Sequence, residues 1–249
     1  MTRAQSEVIG FVLVFSLIVA STGIVYVAGF GALQDARTAE QLNNVERAFE
    51  ILDDNNRDLA RRGAPTRATE IDLAGGGLRL GDSVDITVTA TNASNASDTV
   101  TVSRSSRPVV YEKADRQVVY AYGATFRQNG ENAAMVGEPG WVVDERRSLI
   151  TLVTAQAGEG QTSVGGQTTV LVRTQADSRG TTSRSLASGT STEISVTVES
   201  PRAAAWGRFL ERRGFTAVDP DASDDKVEYE TTTDGVVIQV TTTSVEFDL

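Results

Sequence analysis

"RAQSEVIGFVLVFSLIVASTGIVYVAGFGAL", residues 3–33, decides the fold: after Glu7, the 26 residues from Val8 to Leu33 contain no charged side chain. Coiled as an α-helix, that run spans about 39 Å, more than the hydrocarbon core of a bilayer. The run therefore predicts a membrane-crossing helix. A cleaved secretory signal fits less well. Ala20-Ser21 offers a small-residue cleavage point, but the apolar run continues past it to Leu33. Glu7 also weakens the positive-inside bias that Arg3 and the terminal amine would set.

Past Leu33, charges return at Asp35, Arg37, Glu40, Glu46 and Arg47, while Leu42, Val45, Phe49, Leu52 and Leu59 fall on one stripe of a helix. Nothing breaks this periodicity before Gly63 and Pro65, so one helix is expected over 5–62, with its membrane span at about 8–33. Gly23, Gly29 and Gly31 lower its propensity by up to about 1 kcal/mol each relative to Ala, and in membranes such residues mark close helix packing.

After Pro65 the apolar period changes to two. Val84, Ile86, Val88 and Ala90 alternate with polar residues, as do Ile194, Val196 and Val198, and Val236, Ile238 and Val240 alternate with Val237, Gln239 and Thr241. Further strands are expected at 70–74, 99–103, 108–111, 117–122, 148–154, 168–174, 227–231 and 244–247, separated by Gly/Ser/Asn-rich turns. Gly123, Gly130 and Pro139-Gly140 read as turns or bends. One helix interrupts the strands, with Ser200 as expected N-cap, Pro201 in the first turn and Gly214 as a left-handed cap. Its Trp206, Phe209 and Leu210 share a face that should pack on the sheet, a partner-binding patch being the alternative; Arg208, Arg212 and Arg213 read as a solvated face. The expected fold class is α+β: a long N-terminal membrane-spanning helix, then a mainly antiparallel β-sandwich-like head with one short helix over 66–249.

Composition narrows the chemistry. No cysteine and no histidine occur, which removes disulfides, thiolate zinc sites, thiol catalysis and the commonest general base. Against 33 acids stand 23 cations, all but Lys113 and Lys226 being arginine, for a net charge of -10. This balance argues against nucleic acid, whose phosphates need a basic face. An acidic, Lys-poor, Thr-rich surface suits strong brine, although an ordinary acidic secreted domain has the same balance.

Arg3-Ala4 followed by Gln5-Ser6-Glu7-Val8-Ile9-Gly10 resembles the class III signal peptide of archaeal type IV pilin-like proteins. The resemblance implies a leader over 1–4, cut by a prepilin-type peptidase between Ala4 and Gln5, with the apolar helix retained. It also implies an assembly role for Glu7, whose carboxylate would lie beside the new amine at Gln5 or that of a neighbouring subunit. Glu7 is third after the cut, whereas the bacterial pilin pattern has its acid fifth. The competing reading is an anchor whose Glu7 snorkels into the headgroups. The stretches "YAYGATFRQNGENAAMVGEPGWVV" (120–143) and "GQTSVGGQTTVLV" (160–172) resemble a haloarchaeal family of membrane-anchored proteins with no assigned activity.

Two acceptor patterns for N-linked glycan, Asn92-Ala93-Ser94 and Asn95-Ala96-Ser97, share one turn. Asp219, Asp221 and Glu230 echo the spacing of a calcium loop, but Asp224 occupies the sixth position where that loop needs Gly. No nucleophile elbow, phosphate loop or zinc motif is present, and neither a cofactor nor catalysis is expected. The expected role is a surface structural or adhesion protein, single-pass with its head outside, which meets the membrane, the peptidase and pilin-like subunits. Alternatives are a membrane-tethered binding module that does not polymerise and, third, a carboxylate-based envelope hydrolase.

Overall fold

A computed structural model describes residues 2–185, 191–219 and 225–249. Helix α1 runs Thr2–Arg61, and the chain divides into two compact units, Met1–Asn44 and Val45–Leu249. The first unit is helical throughout its described residues and its apolar side chains from Val8 to Leu33 are exposed, Val27 to 72% and Leu33 to 49%. Phe11 stacks on Phe15 and Tyr26 on Phe30, at 6.1 and 6.2 Å between ring centroids, as residues four apart on one helix face do.

The second unit holds the last turns of α1, fifteen strands and a short helix. The strands are β1 (Thr66–Asp72), β2 (Gly77–Leu80), β3 (Val84–Asn92), β4 (Asn95–Ser106) and β5 (Val109–Lys113), then β6 (Arg116–Ala121), β7 (Ala124–Asn129), β8 (Asn132–Gly137), β9 (Ser148–Ala157) and β10 (Ser163–Gly165). They continue with β11 (Thr169–Ser185), β12 (Thr192–Glu199), β13 (Thr216–Asp219), β14 (Lys226–Thr233) and β15 (Gly235–Asp248), with α2 (Ala203–Arg212) between β12 and β13. Three sheets result, ordered β1-β11-β15-β9, β10-β2-β5-β6-β7-β8 and β13-β14-β12-β3-β4. Every pair is antiparallel except β15 with β9. The expected class holds in outline, a head of mainly antiparallel strands with one short helix.

Particular elements differ from the sequence reading. Residues 236–240 and 244–247 belong to one strand, β15. Its buried positions switch from even to odd after Val240, opposite a register shift between Ala176 and Ser178 of β11. β15 itself pairs with β9 in unbroken register, so its side chains keep alternating and only the face that is covered changes between the two halves, which in sequence looks like a break. Strands β7 and β8 were not anticipated; they extend the β6 hairpin through a two-residue turn at Tyr122 (φ 54°) and Gly123 (φ 82°). Tyr122 holds that left-handed conformation while buried, its hydroxyl 2.7 Å from the Val84 carbonyl and 2.6 Å from that of Arg104.

Helix α2 starts later than expected. Its N-cap is Arg202, with no side-chain cap bond, while Ser200 Oγ accepts the Arg202 amide hydrogen in the turn before it. The expected Gly214 cap is present: Gly214 has φ 84°, and the Phe215 amide donates across it to the Leu210 carbonyl at 3.0 Å. The Trp206, Phe209 and Leu210 face is buried against β14, β8 and β13, so it is core rather than a partner patch. Trp206 lies 5.7 Å from Phe126, 5.8 Å from Trp141 and 6.0 Å from Phe209 between ring centroids. Arg208 and Arg212 are exposed and Arg213 is half-buried, a solvated face on which Arg212 and Arg213 pair with Glu138, at 2.9 and 2.7 Å, and Arg208 Nη2 donates to the Ala133 carbonyl at 2.7 Å.

Trp206→Ala is expected to lower stability by about 3–5 kcal/mol, since the cavity lies among three other aromatic rings. Urea unfolding of the full chain in detergent, followed by circular dichroism, measures this loss.

Candidate functional site

Two arrangements bear on function, one in each unit. In the first, the uncharged segment of α1 offers apolar side chains on all sides, and beyond the local helix backbone nothing lies within 4 Å of where a Cβ would stand on Gly10, Gly23, Gly29 or Gly31. Among the described residues this is one helix long and apolar enough to cross a membrane. With the backbone bonds of a helix satisfied internally, only the side chains meet the surroundings, and hydrocarbon is the medium they suit. Arg3, Ala4, Gln5 and Glu7 are helical in backbone, but their side chains lie outside the described residues, and with them the geometry of processing and of the assembly carboxylate.

In the second unit the helical segment Val45–Arg61 is fastened to the strands. Val45, Phe49, Leu52 and Leu59 are buried, as the stripe predicts. The polar contacts are tertiary. Asn55 Nδ2 donates to Thr69 Oγ1 on β1 at 2.9 Å, Arg57 Nη2 to the Glu138 carbonyl at 3.2 Å, and Arg61 Nη2 to the Gly140 carbonyl at 2.8 Å. The Trp141 amide donates to the Pro139 carbonyl at 2.7 Å, a tight turn across Gly140 as the Pro-Gly pair suggests, and the flexible tip of Arg61 lies against that glycine. From the other side, Arg179 of β11 donates to the Leu59 carbonyl at 2.9 Å and to the Ala64 carbonyl at 2.5 Å. A guanidinium at this end occupies carbonyls that the helix leaves open and meets the negative end of its dipole. Glu46 receives two hydrogen bonds from Arg127 of β7.

Asp53 is the costly member of this set. It sits buried beside Arg57, at 2.5 Å, and accepts a hydrogen bond from the Tyr120 hydroxyl at 3.3 Å. Removal from water outweighs the Arg57 charge and the Tyr120 bond and raises its pKa from 3.8 to about 6. The Tyr120 phenol is pushed well up by its own burial and then by the Asp53 charge. Sequence reading placed the apolar stripe but gave no sign of Asp53, because its partner Tyr120 lies 67 positions away.

The remaining candidates separate. Asn92 ends β3 and Asn95 begins β4, across the turn Ala93-Ser94. Asn92 Oδ1 accepts the Ser94 amide at 2.9 Å, and its Nδ2 donates to Asp98 at 3.3 Å. Asn95 is exposed, with Oδ1 accepting the Ser97 amide at 3.3 Å. Asp221 and the side chain of Asp219 lie outside the described residues. Glu230 is on β14, in register with Thr216, and among the described residues no group of three His, Asp or Glu side chains is placed to hold a metal ion.

A family described as of unknown function, DUF7289, matches residues 3–246. No curated protein and no solved structure matches the chain.

The sign of the Asp53 shift sets a pH dependence. Because the folded state holds this proton more tightly than the unfolded chain, its contribution is greatest below about pH 4, falls as pH rises towards 6, and is level above that. A fall of about 3 kcal/mol is expected across this window, and Asp53→Asn should remove it. Urea titrations of both proteins at pH 4, 5, 6 and 7 measure the difference.

Proposed function

The chain belongs to DUF7289, a family of unknown function, and we propose that it is a pilin-like structural or adhesion protein of an archaeal cell surface, held or assembled through its apolar helix. The observation that carries this reading is the uncharged segment Val8–Leu33, apolar on all sides, behind Arg3-Ala4 and Glu7. A retained helix of this kind serves as an anchor, or as the packed centre of a filament once subunits exchange lipid contacts for one another. In this reading a prepilin-type peptidase cuts before Gln5, and Glu7 and the new amine form an ion pair at the membrane edge, which lowers the cost of an acid there. The head lies outside the cell, where its net negative, Lys-poor composition keeps it soluble in brine and where Asn95 is open to glycan attachment.

One observation favours the second reading, a tethered binding module that does not polymerise. On β3 and β4, Thr87 faces Ser103 at 2.9 Å, Thr91 faces Thr99 at 3.1 Å and Thr89 faces Thr101 at 3.3 Å, a ladder of exposed hydroxyl pairs. Such a surface suits a polar ligand better than it suits close subunit packing.

Two measurements decide. Edman sequencing of the protein recovered from membranes is expected to begin at Gln5; a start beyond Ala20 overturns the retained helix, and an intact Met1 or Thr2 favours the simple tether. The chain has no cysteine, so Val12→Cys gives a single reporter in the apolar segment. Thiol crosslinking in native membranes should yield dimers if subunits pack helix to helix, whereas a tether stays monomeric.

A further inference from the structure

A separate cleft in the second unit lies between the end of β2 and the turn into α2. It has a volume of about 180 Å³ and is bordered by Arg79, Asp82, Ser83, Pro201 and Arg202. Drug-sized ligands occupy pockets of roughly 300–1,000 Å³, so this one suits a smaller group. Arg202 is only 9% exposed, its Nε has no hydrogen-bond partner, and among the described residues no carboxylate stands within ion-pair distance of it. Burial first, and then the charge of Arg79, lower its pKa from 12.5 to about 10, with Asp225 acting in the opposite direction.

Positive charge reaches this corner from β2 and from the start of α2. Arg79 lines the cleft, and its carboxylate partner among the described residues, Glu112, is 3.7 Å from Nη2 with both side chains about half exposed. Arg107 does not line the cleft; its guanidinium donates to the carbonyls of Gly81 at 3.0 Å and Leu80 at 3.2 Å beside it. Arg202 is the N-cap of α2, whose first turn has no acid and no side-chain cap; the Ala203 and Ala205 amides donate to the Ser200 and Arg202 carbonyls, and the positive end of the helix dipole still adds to the charge at this corner. Asp82 opposes this charge, but it is exposed and makes no ion pair with either arginine. A buried guanidinium nitrogen without a partner is unfavourable, and two like charges facing one cavity add to that. An anion between them relieves both costs, by charge-assisted bonds to planar donors.

We infer that this cleft binds one small oxyanion group, a carboxylate or a tetrahedral sulfate or phosphate, held by Arg202 Nε and the Arg79 guanidinium at the start of α2. The site is independent of the anchoring role and lies wholly within the second unit. The full chain in detergent, freed of oxyanions by exchange into chloride buffer, is titrated at constant ionic strength with phosphate, sulfate or acetate while Tm is followed. Saturable stabilisation is expected, a rise of about 3–6 °C at ten times Kd. Equilibrium dialysis with labelled phosphate or acetate should give one site per chain. A response to phosphate and sulfate but not acetate assigns a tetrahedral ligand, and the reverse assigns a carboxylate. Arg202→Gln should abolish the saturable response and stand as stable as the parent, or more so, in chloride alone. Arg79→Gln, on the more exposed arginine, should weaken binding at least tenfold and serves as the test if Arg202→Gln does not fold. Equal responses in parent and variants, or no saturable response to any of the three anions, would overturn the assignment.

Discussion

The buried face of Val45–Arg61 is the interaction on which the arrangement of the head depends. A helix laid on strands must hide its apolar stripe and also satisfy the carbonyls at its end. Here Phe49, Leu52 and Leu59 answer the first demand and Arg179 the second. Arg57 and Arg61 then reach outwards to the carbonyls of Glu138 and Gly140, in the loop after β8. That same Glu138 binds Arg212 and Arg213 near the end of α2, and the two arginines hold its carboxyl below the usual carboxylate range. Thus one short loop joins the last turns of α1 to α2 through four polar contacts, while Trp141, just beyond it, enters the aromatic core.

The same geometry explains part of the composition. Arg57, Arg61, Arg107, Arg179 and Arg208 each donate to backbone carbonyls, and Arg127 makes a forked pair with Glu46. A flat guanidinium with several fixed donors can satisfy two carbonyls at once, which the single ammonium of Lys does with less directional control. A scarcity of lysine is therefore what internal fastening by cations requires, and a saline environment is not needed to account for those positions. Arg202 is the exception, a buried cation with nothing to donate to from Nε, and the departure from this pattern is what makes it informative.

Asp53 shows the opposite compromise. Its carboxyl accepts from Tyr120 and pairs with Arg57, yet burial still raises its pKa to about 6. The acid is kept where a neutral side chain would cost less, so the attachment of the helix to β6 loosens energetically as that proton leaves. Specific geometry and stability are here in tension, as in other buried ionic contacts.

Local pattern by itself determined the long helix, its uncharged run and its end near Gly63, because hydrophobic periodicity and glycine conformation act within a few residues. It also determined most strands, the Gly214 cap and the absence of cysteine and histidine chemistry. Only the tertiary structure decided that residues 236–247 form one strand, since which of its faces is covered changes after Val240 and that depends on distant parts of the chain. The hairpin of β7 and β8 was hidden because its inward face is made of small or isolated apolar residues, Ala124, Phe126, Ala133 and Met135, whose alternation is weak beside the polar residues around them. The fastening of the helix, the pairing of Glu138, the burial of Asp53 and the convergence of Arg79 with Arg202 were equally out of reach. Each joins residues far apart in sequence, and neither charge nor burial at such a contact has any periodic trace in the chain.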